Sequence, residues 1–145
     1  MYEMWILAPI SAIASIIASG FLYHYVNKQD SGTERMREIA LAIKEGADAF
    51  LKREYTVLAY FVAVVAAVLA IFINPMMAPT YIFGSVCSGL AGFFGMQIAL
   101  KANVRTANAA REGLNRAFPI AFRGGAVMGL SVVGMGLLGI SIVYA

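Results

Sequence analysis

Few side chains in this 145-residue chain are of types that perform chemistry, and no group of them has the spacing of a reaction centre. Glu45 and Asp48 stand three residues apart, so one helix face could present both carboxylates to a cation. Lys44 and Lys52 flank these acids, which favours a solvated charged face instead. The sequence therefore predicts no catalytic, substrate-binding or metal-ligating residue.

The cysteine and the histidine are each the only residue of their type. Cys87 lies in the middle of an apolar segment, where a single thiol is interpreted as a small packing residue. His24 lies near the end of the first apolar segment and is interpreted as an interfacial side chain. Neither a phosphate-binding loop ending in GK[ST] nor a nucleophile elbow is present in the sequence.

Arg123 is the one charge that suggests a path for ions, because it adjoins a long apolar segment. An ionisable residue inside a membrane span is a functional candidate. Segment 124–145 is about 33 Å long as a helix and spans a bilayer without Arg123, whose side chain could then reach the membrane interface. Two roles stay open for Arg123, one structural at the interface or between helices and one in an ion path.

The composition is that of an integral membrane protein. Hydrophobic residues make up 61% of the chain, charged residues only 13%, and the mean hydropathy is +0.77. Long charge-free stretches predict an all-α polytopic transmembrane bundle, and the absence of period-two alternation argues against a membrane barrel. Residues 1–145 are interpreted as one membrane region. The predicted spans are 4–26, 55–74, 80–101 and 120–145, with a turn at 74–80 that contains Pro75 and Pro79.

The distribution of basic residues predicts the orientation. Neither the N-terminal segment nor the 74–80 turn carries Lys or Arg, so both lie outside under the positive-inside rule. A helical segment at 33–54 and a basic loop at 102–119 are predicted to be cytoplasmic. The net charge of +3 is read as a topology signal, and no nucleic-acid partner is expected. The basic residues are Lys28, Arg35, Arg37, Lys44, Lys52 and Arg53, then Lys101, Arg105, Arg111, Arg116 and Arg123.

Local signals add detail to the helices. Ser31 to Glu34 fits a capping box, and the absence of proline beyond it predicts one helix from about Glu34 to Ile73. Asp48 and Lys52 are spaced as a helical ion pair in the favourable order. Gly46 costs a helix about 1 kcal/mol relative to Ala, which close packing against a neighbour could offset. Small residues recur at four-residue spacing and predict close helix packing. They are Ser11, Ser15 and Ser19, Ser85 and Gly89, Ser88 and Gly92, Ala91 and Gly95, and the GxxxG pair Gly125 and Gly129.

Three motifs resemble those of membrane-bound, ion-translocating inorganic pyrophosphatases. The segment EGADAFLKREY at 45–55 is similar to that family's EGA-x-x-[FY]-L-x-x-[EQ]-Y motif. GMQIA at 95–99 with ANVRT at 102–106, and AFPIAFRGGAVMG at 117–129, resemble the next two motifs in order. The resemblance covers essentially the whole chain and identifies it as the N-terminal portion of such a protein.

The resemblance implies an enzyme that hydrolyses pyrophosphate with Mg²⁺, with a possible requirement for K⁺, and exports protons or sodium ions. It also implies a homodimer of multi-helix subunits with the N-terminus outside. The family's aspartate-rich motifs, of the types DVGADLVGKVE and DNVGDN, are absent from this sequence. Its gate arginine lies in a GRVGGG-like stretch that is also absent, so the resemblance assigns Arg123 no gate role.

These helices are therefore expected to act as scaffold within the pump, in contact with the lipid bilayer and with its remaining helices. The chain alone is expected to be inactive, to bind no cofactor, and to lie in a multi-pass form in a prokaryotic plasma membrane. The alternative is a free-standing four-helix membrane protein, either a small transporter subunit or an assembly factor.

Overall fold

A computed structural model describes residues 3–144, with side chains from residue 6 onward. Four helices fill this range, α1 (Glu3–Asn27), α2 (Glu34–Phe72), α3 (Met77–Ala110) and α4 (Leu114–Tyr144). All four are long and apolar enough to cross a membrane, and no strand occurs between residues 3 and 144. The all-α transmembrane fold class is confirmed. The outside position of the N-terminus stays a prediction.

The α1–α2 turn sets the start of α2. Gly32 adopts a φ of 82°, and its amide donates to Asp30 Oδ1 at 3.0 Å. Thr33 is the N-cap, because its Oγ1 accepts a hydrogen bond from the Met36 amide at 3.4 Å. The prediction that Ser31 begins the capping box was therefore wrong by two residues. The turn at Gly32 leaves Thr33 as the last residue with extended backbone before the helix. Helix α2 then runs without interruption to Phe72, as the sequence predicts.

The α2–α3 turn is short and hydrogen-bonded. The amides of Ile73 and Asn74 both donate to Leu69 O, at 3.1 and 2.9 Å. Asn74 then accepts hydrogen bonds from two later amides, through its carbonyl oxygen and through Oδ1. Pro79 lies in the first turn of α3, where a missing amide hydrogen costs no helical hydrogen bond. The predicted antiparallel hairpin of α2 and α3 is confirmed.

The connection between α3 and α4 is much shorter than the loop predicted at 102–119. Helix α3 continues to Ala110 and α4 begins at Leu114, so only residues 111–113 are non-helical. Polar residues facing water do not end a helix, and segment 101–110 is rich in alanine, a strong helix former. The helix ends where Gly113 adopts a φ of 118°.

Helix α3 is at the centre of the bundle. It packs along α4 on one side and α2 on the other, and α1 packs on α4 and touches α3. Helix α2 contacts only α3 among the described helices, which leaves most of its surface exposed. The buried core lies between α1, α3 and α4, near their charged ends. It consists of Val26, Ile98, Ala102, Ile120 and Val127.

Small residues bring α4 close to its two neighbours. A Cβ built on Gly124 would lie 2.6 Å from Ala102 Cβ, and one on Gly134 would lie 3.2 Å from Ala12 O. The predicted GxxxG contact was wrong within this chain, because a Cβ on Gly125 or Gly129 would meet no atom within 4 Å. The GxxxG spacing identifies one face of α4 as suited to close contact. In the structure α4 is rotated so that the adjacent face, which carries Gly124, packs on α3.

Two further packing expectations have opposite outcomes. Ser19 is buried between α1 and α4, where its Oγ donates to Val127 O at 3.2 Å and pairs with Ser131 Oγ at 2.8 Å. The expected close packing at Gly46 was wrong for the described residues, since nothing lies within 4 Å of a Cβ there. Gly46 lies on the part of α2 that the other described helices do not cover.

Candidate functional site: a polar junction at the charged end of the bundle

Arg105 of α3 binds the end of α1. Its Nε donates to Gln29 O at 3.0 Å, and its Nη2 donates to both the carbonyl oxygen and Oδ1 of Asn27 at 3.4 Å. Its Nη1 donates to Lys101 O at 2.9 Å within α3. The last carbonyls of a helix lack intrahelical donors and carry partial negative charge, so a guanidinium satisfies them and interacts favourably with the helix dipole.

Asn108, one turn further along α3, holds the residues that follow. Its Nδ2 lies 3.4 Å from the carbonyl oxygen and from Oδ2 of Asp30, and donates to both. A Cβ on Gly32 would lie 2.8 Å from Asn108 Oδ1 and 2.7 Å from Met36 Sδ. We call Asn27, Gln29, Asp30, Arg105 and Asn108 the polar junction. It fixes the α1–α2 turn on the side of α3.

Substitution of Gly32 by Ala should destabilise this turn. A positive φ costs a residue with a Cβ about 1–2 kcal/mol, and the Cβ would also collide with Asn108 and Met36. The matched control is the same substitution in an Asn108→Ala background, which keeps the positive φ of residue 32 but removes the amide group that the new Cβ would meet. In a detergent unfolding titration we expect Gly32→Ala to cost more stability in the wild-type background than in the Asn108→Ala background. Equal losses in the two backgrounds would show that the contact with Asn108 contributes nothing.

Two cations lie on tyrosine rings where α1 meets α3 and α4. Lys101 Nζ hydrogen-bonds Tyr23 Oη and lies 4.9 Å from the ring centroid. The half-buried Arg123 places its Cζ 3.7 Å from the centroid of the Tyr25 ring. We call these four residues the basic–aromatic belt. Tyrosine with Lys or Arg is typical of a membrane interface.

The structure places Arg123 in the belt, and its role in an ion path stays a prediction. The ion pairs formed between residues 6 and 144 are Arg35–Glu38, Lys44–Asp48 and Arg116–Glu112, so neither Arg123 nor Lys101 contacts a carboxylate there.

The other candidate residues are dispersed. Lys44 Nζ pairs with Asp48 at 2.7 Å, so the predicted Asp48–Lys52 pair was wrong and the acid turns towards the other lysine. Within the part of the chain that the structure describes, no three His, Cys, Asp or Glu side chains form a group that could hold a metal. Cys87 is half-buried, and its Sγ would lie 3.7 Å from a Cβ on Gly139, as expected of a packing residue.

Three contacts were not predicted from the sequence. Arg105 was identified as a basic residue and as part of the ANVRT motif, but its contact with α1 was not predicted, and neither was that of Asn108. Tyr55 Oη donates to Gly89 O at 2.6 Å, and would lie 3.2 Å from a Cβ on Gly92. Gly89 and Gly92 are three residues apart and leave space on one face of α3 for a large side chain. This pattern, with a tyrosine on the neighbouring helix of a hairpin, could have predicted the α2–α3 contact.

Together the helices and the belt define a polytopic α-helical membrane protein with its basic–aromatic contacts at one end. The family model described as "Inorganic H+ pyrophosphatase" matches residues 13–145. The chain belongs to this family of membrane-bound pyrophosphatases.

Curated relatives agree with this assignment. A K(+)-insensitive pyrophosphate-energized proton pump of Methanosarcina mazei is 42% identical over 147 residues, which cover 99% of this chain and 22% of the relative. A putative K(+)-stimulated pyrophosphate-energized sodium pump of Clostridium tetani is 47% identical over 130 residues, covering 90% and 19%. A K(+)-stimulated pyrophosphate-energized sodium pump of Thermotoga maritima is 39% identical over 143 residues, covering 95% and 20%. The chain thus spans about a fifth of the length of these relatives, in their N-terminal region.

Proposed function

We propose that this chain forms the N-terminal scaffold of a pump in which pyrophosphate hydrolysis drives proton or sodium export. The observation that carries the proposal is the family match over 13–145 together with coverage of only about a fifth of the relatives. The described residues do not supply a magnesium-binding group, so Mg²⁺ and the substrate would be held by other parts of the pump. The names of relatives include both K⁺-insensitive proton pumps and K⁺-stimulated sodium pumps, and both kinds of ion remain open for this chain.

The scaffold role would depend on the polar junction. Arg105 and Asn108 bind the α1–α2 turn to α3, and α3 in turn packs on α4 and α2. This arrangement gives the remaining helices a fixed surface to pack on. We further propose an outside N-terminus, a plasma-membrane location and a homodimer for the complete pump. Positive-inside counting supports the orientation. For Arg123 we propose an interfacial role, supported by its contact with Tyr25.

The isolated chain should not hydrolyse pyrophosphate. It would be purified in detergent and assayed for phosphate release with Mg²⁺ and pyrophosphate, beside the protein that its complete gene encodes. The expected result is release at the rate of a protein-free blank for the isolated chain and turnover for the complete protein. Robust turnover by residues 1–145 would contradict a scaffold role. The alternative of a free-standing four-helix protein predicts a stop codon after Ala145 and no downstream frame rich in aspartate.

A further inference from the structure

The contacts of α3 show that its neighbours are staggered. Tyr55 of α2 binds at Gly89, whereas the basic–aromatic belt meets α3 at Lys101. These two levels on α3 are about 18 Å apart along the helix axis. Residues 44–54 of α2 lie between them, because Ile43 shares a groove with Leu100 and Tyr55 lies at Gly89.

This stagger creates a conflict about membrane depth. If the belt marks the bilayer surface, segment 123–144 of α4 crosses about 33 Å, enough for a hydrocarbon core of ~30 Å. Tyr55 then lies past the middle of the core, and the charges of α2 between Lys44 and Glu54 lie at membrane depth. The residues concerned are Lys44, Glu45, Asp48, Lys52, Arg53 and Glu54. A charged side chain costs about 2.5–3.5 kcal/mol at the centre of a span, so Lys52, Arg53 and Glu54, which lie nearest the centre, are the most costly.

The opposite placement moves the difficulty to the other helices. If the charge-free part of α2, Tyr55 to Phe72, marks the core, the belt lies about 18 Å outside it. Large apolar side chains near the belt then face water, among them Phe21 at 74% exposure and Phe94 at 50%. An exposed apolar area of this kind normally marks a contact surface. With only lipid and water around these four helices, either placement leaves charges in lipid or large apolar side chains in water.

The α2–α3 groove lies beside the charged part of α2. It encloses about 570 Å³ and is lined by Tyr55, Ala59 and Ala63 on α2 and by Leu90 and Phe93 on α3. The α2 stripe of this groove continues at three- and four-residue spacing through Lys52, Asp48 and Lys44. Lys44 and Asp48 keep 50% and 44% of their side-chain surface exposed even though they pair with each other.

We propose that the Lys44–Asp48–Lys52 stripe and the adjoining α2–α3 groove are covered by further membrane helices of the same pump. The identity of this partner rests on the proposed function, because relatives are about five times longer than this chain. The partner carries hydrogen-bonding or charged side chains opposite Asp48 and Lys52, and apolar side chains opposite Ala59 and Ala63. Such a cover removes the charges of α2 from lipid. The belt can then mark the bilayer surface, and the rings of Phe21 and Phe94 lie in the membrane and not in water.

Site-directed spin labelling of the complete protein in lipid vesicles tests the cover. Asp48→Cys and Lys52→Cys would be made in a background in which Cys87 and every other cysteine of the complete protein are replaced by serine, and then labelled. Collision rates would then be measured with oxygen, which concentrates in lipid, and with a water-soluble nickel complex. Arg35→Cys is the matched water reference, since Arg35 keeps 80% of its side chain exposed, and a lipid carrying the label in its acyl chain is the lipid reference.

We expect labels at residues 48 and 52 to collide several-fold less often than the references with both reagents. A high oxygen rate would assign the stripe to lipid, and a high nickel rate would assign it to water. Either result overturns the proposal. Spin–spin broadening that disappears on dilution with unlabelled protein would assign the cover to a second copy, which also overturns it. Eluting the labelled proteins as the wild type does on gel filtration shows that they are folded. Pyrophosphate hydrolysis by the complete protein tests the proposed function separately.

Discussion

Gly124→Ala is expected to lower the free energy of unfolding by about 1–2 kcal/mol. The new Cβ would lie 2.6 Å from Ala102 Cβ, a separation that two carbon atoms cannot keep, so α3 and α4 must move apart. The better helix propensity of alanine offsets part of this loss, by about 0.5–1 kcal/mol. The net loss is large because the contact lies beside the buried core residues Ile98 and Ile120.

The adjacent residue provides the control. Gly125→Ala adds the same methyl group to the same turn of α4 but meets nothing within 4 Å in this chain, so its stability should be unchanged or slightly higher. Adding Ala102→Gly to Gly124→Ala should restore part of the loss, because it removes the colliding atom. Stability would be followed as the helical circular dichroism signal during titration with SDS. The packing argument fails if the variants at Gly124 and Gly125 unfold at the same midpoint.

Arg105→Met should destabilise the protein by about 2–3 kcal/mol, because the Arg105 side chain makes four charge-assisted hydrogen bonds to oxygens of α1, the turn and α3. Methionine keeps much of the volume of the side chain but leaves the carbonyls of Asn27 and Gln29 without this donor. Arg105→Lys should recover only part of the loss, because one ammonium group cannot reach acceptors on opposite sides as the guanidinium fork does.

The α1–α2 turn gives a second measurement for this variant. We expect limited proteolysis between residues 28 and 33 to be faster in Arg105→Met than in wild type, since α3 no longer holds the turn. Arg111→Met is the control, because it removes an arginine of the same end of α3 whose side chain makes no hydrogen bond within the described residues. Equal proteolysis and equal unfolding midpoints for the two variants would show that Arg105 acts only through its charge.

Much of the fold was predictable because it depends on local composition. Long charge-free runs predicted all four helices, since a run of apolar residues is stable in lipid only as a helix with its backbone hydrogen bonds made internally. Pro75 and Pro79 predicted the α2–α3 turn, because two prolines within five residues interrupt a helix whatever the rest of the chain does. The family, too, could be predicted from three short motifs, and the match over 13–145 confirms it.

The errors share a different cause. The GxxxG pair Gly125 and Gly129 has the right spacing for a contact, yet Gly124 makes the contact because α4 is rotated by one residue relative to that expectation. Likewise Asp48 has a lysine four residues away on each side, and it pairs with Lys44 although the order of Asp48 and Lys52 is the more favourable one in an isolated helix. Helical ion pairs of this kind differ in energy by only a few tenths of a kcal/mol. Helix rotation and the choice of ion-pair partner depend on energies that differ little between neighbouring residues. The sequence alone does not show which alternative is the more stable.

The sequence by itself determined that the chain crosses the membrane four times, where the hairpin of α2 and α3 turns, and which end of the bundle is charged. Each of these follows from the transfer free energy or backbone geometry of residues close together in the chain. Only the tertiary structure decided that Arg105 binds the end of α1 and that α2 is staggered against the belt. Rotation and register between helices arise from contacts between residues far apart in sequence, whose small energies select one packing only when they are added together.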